Sequence, residues 1–311
     1  MSKSVPISVL GAANVDITGY TQNKLIYKDA NIGTMKTTAG GVGRNIAENL
    51  MRLDFQVDFI SVFGDDPLSD FIKEDCRRKH LNIDKSLFVE NASASTFIAI
   101  MDEHNDLALG ISAMRLYDEL EAHRFIDILP GNLDSDYTVL ETNFSTEILQ
   151  AVIERYPQQK FILDTVSGKK SLRAVPVLPD LYILKTNLLE AEMMSGISAK
   201  NQADLEKLVR FFTAKGVEKV FITLGKDGVI YGDKNRLNRQ APIPAKIVNT
   251  IGAGDSFVAG LVYAESLGLP IDDMARYGMS AAAVTVQHRE AVSPEMKRKL
   301  INNLLPRDKS I

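Results

Sequence analysis

Short apolar runs alternate with amphipathic stretches along most of the chain. Ile7–Ala13 and Val57–Phe63 are apolar runs of strand length, and between them the apolar residues at 46, 47, 50 and 53 recur on one helical face. The rhythm continues downstream. Tyr137–Glu141, Phe161–Asp164, Leu181–Leu184 and Val220–Thr223 predict buried strands, and Thr146–Arg155, Asn187–Ser195 and Asn201–Lys215 predict the helices between them. Apolar strands alternating with helices imply right-handed crossovers and a mainly parallel sheet covered on both faces, an α/β fold of three layers. In such sheets ligands gather at the carboxyl ends of the strands.

Two stretches break the rhythm. Ser95–Met101 and Leu107–Ile111 flank the polar segment Glu103–Asp106 and read as a hairpin. Asp16–Tyr20 and Met35–Thr38 read as further strands outside the main sheet. Together they predict a small antiparallel β lid, drawn from about residues 14–38 and 95–111, with edge strands of the main sheet as the alternative. No Pro/Gly/Ser-rich linker, repeat or low-complexity tract interrupts the chain, so residues 1–311 are expected to form one domain.

At 45% hydrophobic and 24% charged residues, the 311-residue chain excludes disorder, collagen-like structure and coiled coil. Its 36 Lys and Arg against 40 Asp and Glu give a net charge of −4, without the diffuse positive field of a nucleic-acid binder. Cys76 is the one cysteine, which fits a reducing compartment. Met1–Leu10 reads as a first strand and not as a signal peptide, and no apolar run approaches the roughly 18–20 residues needed to span a bilayer. The expectation is a cytoplasmic protein with neither nucleic acid nor membrane as partner. The basic end, from Lys297 to Lys309, reads as a solvated helix face and a loose terminus.

The strongest local signal is Asn249-Thr-Ile-Gly-Ala-Gly-Asp-Ser-Phe-Val-Ala-Gly260. Gly252, Ala253 and Gly254 form a small-residue turn before an apolar helix predicted over Ser256–Leu267. Such a turn presents backbone N–H groups at the positive end of a helix dipole, which suits a phosphate. A carboxylate at Asp255 would repel that anion unless it takes the proton of the attacking hydroxyl; the alternative is a helix cap. As a base at a helix N-terminus, Asp255 is expected to have a lowered pKa. Gly40-Gly-Val-Gly-Arg-Asn-Ile-Ala-Glu-Asn49 is a second Gly-rich turn opening a helix. Gly40 and Gly41 let the backbone approach a ligand, and Asn45 can hydrogen-bond sugar hydroxyls, although such turns also serve packing alone. Asn14-Val-Asp16 follows the first strand and can accept from a diol, or simply form a turn. Lys185-Thr-Asn187-Leu-Leu-Glu190 ends another strand; Asn187 and Glu190 share a helical face and can hold water on Mg²⁺, or pair by chance.

Together and in this order these residues resemble the PfkB (ribokinase-like) carbohydrate kinase family, over nearly the whole chain from Gly11 to about Pro294. The resemblance rests on the signatures at Gly40–Asn49 and Asn249–Gly260, with Asn14-x-Asp16, Asn187-x-x-Glu190 and Thr223-Leu-Gly-Lys-Asp-Gly228. It implies the ribokinase-like fold and an ATP-dependent kinase acting on a sugar or nucleoside. On the matching positions it makes Asp255 the general base and the backbone of 252–255 an anion hole. Asn14, Asp16, Gly40, Gly41 and Asn45 become substrate contacts. Lys185, Asn187, Thr223, Gly225 and Gly228 fall on the nucleotide and Glu190 on Mg²⁺. Ala13-Asn-Val-Asp-Ile-Thr-Gly-Tyr20, Leu163-Asp-Thr-Val-Ser167 and Leu189-Glu-Ala-Glu-Met-Met-Ser-Gly-Ile197 are similar to the pseudouridine kinase branch. That likeness implies the 5′-hydroxyl of pseudouridine as acceptor, with other pentoses, hexose phosphates or nucleosides, or a sugar-binding protein without turnover, as alternatives. Asn249 stands where many sugar kinases of the family carry Asp, which with Gln287-His-Arg-Glu290 leaves a K⁺ site open. A lid with a free edge also leaves room for a homodimer.

Other phosphoryl-transfer and metal classes are excluded. No P-loop occurs, since Gly225-Lys226 is followed by Asp, and the His-Arg-Asp and Asp-Phe-Gly elements of protein kinases are missing. His80, His104, His123 and His288 have no zinc spacing.

Overall fold

The computed structural model describes residues 6–104 and 106–305. The residues before Pro6 and the basic tail beyond Leu305, both read above, lie outside these. Two sheets carry most of the strands. The larger has six parallel strands, β1 (Pro6–Leu10), β4 (Gln56–Ile60), β9 (Tyr137–Glu141), β10 (Lys160–Asp164), β11 (Leu181–Asn187) and β12 (Lys219–Thr223). An antiparallel edge, β13 (Val229–Gly232) and β14 (Leu237–Gln240), completes the order β14-β13-β12-β11-β10-β9-β1-β4. The smaller has the order β3-β2-β7-β8, from β2 (Asn14–Thr21), β3 (Gly33–Gly40), β7 (Thr96–Met101) and β8 (Leu107–Ala113). β5 (Val62–Phe63) and β6 (Leu87–Phe88) form a short parallel pair.

Alternate residues of the central strands face alternate layers, as a two-residue period requires. Val9, Val139, Ile162, Ile183 and Phe221 pack under the helices Val42–Arg52, Ala253–Ser266 and Ile271–Thr285. Leu10, Leu140, Leu163, Leu184 and Ile222 pack under Thr146–Arg155, Leu188–Ser195 and Gln202–Ala214. Burial on both faces is why these strands read as continuous apolar runs, and the three-layer α/β fold expected from them is the one observed.

The small sheet consists of two antiparallel hairpins, β2–β3 and β7–β8, joined through a parallel β2–β7 pairing. The sequence reads β7–β8 as a hairpin and β2 and β3 only as strands outside the main sheet, and nothing local predicts the parallel seam between strands so distant in sequence. Asp66 caps the helix Pro67–Arg78 by accepting from Ser69 N at 2.8 Å, with Pro67 at the first position. Cys76 packs in the core of that helix, and no disulfide forms. At the basic end Lys297 and Lys299 are exposed. Arg298 instead lies over the rings of Phe55 and Tyr263, at 5.4 and 5.3 Å, where its planar cation covers apolar surface.

Strand β1 is the switch point. The chain returns beside it once as β4 and once, on the other side, as β9. The crevice opened there, at the carboxyl ends of the strands, is where an open α/β sheet takes its ligand.

Candidate active site

The helix bearing Asp255 starts earlier than its sequence suggests, at Ala253, so Ala253, Gly254 and Asp255 form its first turn. Gly252 is the N-cap at φ 79°, a left-handed conformation, and a Cβ there would run into the Ala291 carbonyl. Among the described residues no side chain caps this end. Ala253 N reaches Thr250 O at 3.3 Å, whereas the amides of Gly254 and Asp255 have no backbone acceptor among the described residues.

Asp255 does not cap the helix. Its Oδ2 accepts from Asn45 Nδ2 at 2.8 Å, and the residue is 8% exposed. The lowered pKa expected of it is not found: burial, reinforced by the neighbouring Asp164, pushes the carboxyl up to about 7. Asn45, Lys185 and Arg44 pull it the other way without prevailing. Loss of hydration outweighs the helix dipole here, because a dipole end contributes about half a charge and burial removes most of the carboxylate's water.

A buried cation, Lys185, faces this turn. Lys185 Nζ lies 2.6 Å from where a Gly254 Cβ would stand, so any larger residue at 254 meets the ammonium. It pairs with Asp164 Oδ2 at 2.7 Å, both side chains being almost fully buried. Burial opposes the Lys185 charge, but Asp164, Glu190 and Asp255 more than offset it and hold its pKa above the ordinary lysine range.

On the opposite wall, the β2–β3 register sets Asn14 across from Gly40 and Asp16 across from Thr38. Asp16 lies in a strand and not in a turn; its Oδ1 accepts from Asn14 Nδ2 at 2.5 Å, and its Oδ2 occupies the space a Gly40 Cβ would need. Burial raises its pKa against the pull of Asn14 and Arg44. Gly41, at φ 102°, is the N-cap of the helix carrying Asn45.

Asn187 and Glu190 form a capping box at the start of Leu188–Ser195: Asn187 Oδ1 accepts from Glu190 N at 2.9 Å, and Glu190 Oε2 from Asn187 N at 3.1 Å. Glu190 also accepts from Asn187 Nδ2 at 2.6 Å and from Thr165 Oγ1 at 2.5 Å, so both its oxygens are occupied. Thr223 pairs with Asn187 in the sheet and donates to Thr186 O at 3.3 Å. Gly225 opens the single 3-10 turn Gly225–Asp227 beyond it and Gly228 caps its end, both at positive φ, and a Cβ on Gly225 would meet open space.

A pfkB family carbohydrate kinase pattern matches residues 6–298. The chain belongs to this family. It is 28% identical over 291 residues to the pseudouridine kinase of Escherichia coli (strain K12), covering 93% of each chain. It is 27% identical to the guanosine-inosine kinase of Exiguobacterium acetylicum, covering 93% of this chain and 97% of that one. A solved ribokinase of Arabidopsis thaliana, complexed with ribose and ATP, superposes with a TM-score of 0.83 at 22% identity, over 98% and 99% of the two chains. The chain is accordingly an ATP-dependent carbohydrate or nucleoside kinase of ribokinase-like fold.

Within this family fold, two acidic residues join the site that the motif reading did not single out. Asp164 ends β10 and pairs with Lys185. Glu141 ends β9; its carboxylate accepts from the amides of Ala12 and Asn143, and burial pushes its pKa up to about 7. A usable signal existed for both: each closes a predicted parallel strand with an acid at its carboxyl end, where ligands bind.

Proposed function

We propose that this kinase transfers the γ-phosphoryl group of ATP to the 5′-hydroxyl of a ribosyl substrate, most readily pseudouridine, giving pseudouridine 5′-phosphate and ADP. The observation that carries the chemistry is the Asp255 carboxyl, buried at an uncapped helix N-terminus with a pKa of about 7 and only one oxygen engaged by Asn45. The hydroxyl oxygen attacks the γ-phosphorus, the bond to the β,γ-bridging oxygen breaks, and the proton passes to Asp255 Oδ1. A base with a pKa near the working pH is the effective one, being both ionised and basic. The open amides of the first turn and Lys185 face the charge that develops on the phosphoryl oxygens.

Asn14, Asp16, Gly40, Gly41 and Asn45 hold the ribosyl group in this reading, with the 5′-hydroxyl turned to Asp255. Lys185, Asn187, Thr223, Gly225 and Gly228 lie along the nucleotide, and Gly252, Ala253 and Gly254 around its transferred phosphate. Among the described residues no three His, Cys, Asp or Glu side chains converge to ligate a metal, and both oxygens of Glu190 are already accepting. Those residues fit a Mg²⁺ carried on the triphosphate and held through water by Glu190, where it would neutralise phosphate charge. K⁺ is not required in this reading. Asn249 Nδ2 donates to Arg289 O at 2.9 Å, and Val248 N and Asn249 N reach Val286 O, so an amide already ties these two loops together.

We read residues 1–311 as one kinase domain with the small sheet as its lid, which closes to exclude water. Leu109 and Ile111 share one face of β8, 54% and 53% exposed, and support a homodimer through that sheet. In this reading the protein works in the cytoplasm, where ATP is supplied and a single cysteine fits; among the described residues no helix is long and apolar enough to cross a membrane.

Another sugar or nucleoside is the second reading for the acceptor, favoured by a guanosine-inosine kinase being nearly as similar as the pseudouridine kinase. The test is ADP release with Mg²⁺-ATP on pseudouridine, uridine, guanosine, ribose, adenosine and fructose 6-phosphate. Pseudouridine should give the highest kcat/KM; a preference for ribose or guanosine overturns the acceptor, and tight binding without ADP release overturns turnover altogether.

A further inference from the structure

The helix Val42–Arg52 buries a cation for which the chemistry above has no use. Arg44 is 2% exposed, and its guanidinium donates in four directions. Nε reaches Gly40 O at 3.2 Å, Nη1 reaches Glu48 Oε2 at 2.8 Å and Asp75 Oδ2 at 3.2 Å, and Nη2 reaches Asn45 Oδ1 at 2.6 Å. Neutralising Glu48 does not explain this residue. Arg52 and Lys79 already pair with that carboxylate at 2.8 and 2.9 Å, and Lys79 pairs with Asp75 at 3.0 Å.

What Arg44 alone determines is which end of the Asn45 amide meets Asp255. A guanidinium has five donors and no acceptor, so only the Oδ1 end of Asn45 can face it. Nδ2 is then turned to Asp255 Oδ2. The reversed amide would set its Nδ2, a donor, against the Arg44 donors and its oxygen against a carboxylate. We propose that Arg44 is a positioning residue for phosphoryl transfer: it locks the Asn45 amide so that Asp255 Oδ2 is occupied and Oδ1 is left for the acceptor hydroxyl. Its Nε bond to the Gly40 carbonyl extends the same clamp to the sugar wall, because Gly40 lies against the Asp16 carboxylate.

The inference rests on Asp255 being the base. The charged groups facing Asp255 are Asp164 from β10, which raises its pKa, and Lys185 from β11 and Arg44, which lower it together with the Asn45 hydrogen bond. Arg44 in turn faces Glu48 on its own helix, Asp75 and Lys79 from Pro67–Arg78 and its C-cap, and Asp16 from β2. A loosened Asn45 donates less well to the base, so the pKa of Asp255 rises further and ionisation requires a higher pH.

The test is Arg44→Lys, which keeps the charge but replaces a fork by a point donor. Relative to the unaltered enzyme, kcat per active site should fall about 10- to 100-fold. KM for Mg²⁺-ATP should stay within about twofold, and the acid limb of the kcat/KM profile should move to higher pH. A normal kcat with an unmoved acid limb, whatever the change in Tm, overturns the proposal. A second measurement needs no variant: the ¹⁵N-labelled side-chain amide of Asn45 should exchange slowly and shift with a titration near pH 7. Free exchange without that titration overturns the proposal even if Arg44→Lys fails to fold. Asp255→Asn separates the two readings. If Asp255→Asn is inactive and Arg44→Lys is normal, only the Arg44 inference falls; if Asp255→Asn is itself near normal, the base assignment falls first.

Discussion

Two helices begin at the carboxyl end of the sheet and treat their first N–H groups in opposite ways. Leu188–Ser195 closes its end with the Asn187–Glu190 capping box. Ala253–Ser266 starts at Gly252, with no side-chain cap and with open amides at Gly254 and Asp255. A cap and an anion compete for the same donors, so a capped end is stable by itself whereas a glycine end waits for a ligand. The carboxylates follow the same division. Glu190 engages both oxygens with Asn187 of its own capping box, one of them also with Thr165, while Asp255, also in the first turn, looks away from the helix to Asn45.

The sharpest break of this comparison is Asp255→Asn, expected to lower kcat by about 10²–10⁴-fold with little change in substrate affinity, measured by steady-state kinetics and calorimetry. Retained activity would make Asp255 a bystander like a cap. Next is Gly254→Ala, whose new methyl meets Lys185 Nζ; kcat should fall by about 10- to 100-fold as the open end is obstructed. At the capped end the expected loss is of stability: Asn187→Ala should cost about 1 kcal/mol in denaturant unfolding and only modestly raise KM for Mg²⁺-ATP. A collapse of kcat at full stability there would erase the distinction.

The smaller effects concern pH and cations. The folded-state pKa of Asp255 lies at about 7, raised from 3.8, so the stability this group contributes is complete below about pH 4 and lost as the pH rises through 7. Asp255→Asn should therefore raise the Tm of the ligand-free enzyme at pH 8 by roughly 1–4 °C and hardly at all at pH 4. The smallest effect is none: exchanging K⁺ for choline should leave kcat unchanged, because Asn249 bridges to Arg289 O directly.

Much of the fold could be read in advance because its signals are local. Tyr137–Glu141 and Thr146–Arg155 have the same bounds in sequence and structure, one as an unbroken apolar run and the other as an amphipathic period with Ser145 as cap. The start of Ala253–Ser266 was displaced by three residues, since two glycines and an alanine resemble a turn and only the αL geometry of Gly252 shows where the helix begins. The short helices Arg115–Asp118 and Ala122–Ile128 and the 3-10 stretch Leu172–Asp180 carry too few turns to show a period. In the site, the Gly-rich segments and Asp255 stood out because unusual backbone geometry needs unusual residues. Asp164, Glu141 and the part assigned to Arg44 did not, because an acid or an arginine looks ordinary until its burial and partners are known.

The sequence by itself determined the three-layer architecture and the family, since periodicity and glycine placement act over a few residues and survive without knowledge of the rest. Only the tertiary structure decided the charge state of the site. Asp255 has a pKa near 7, and not the lowered one its helix position suggests, because burial, with Asp164 beside it, outweighs the pull of Asn45, Lys185 and Arg44. Desolvation depends on everything packed around a group, and no local pattern of residues records it.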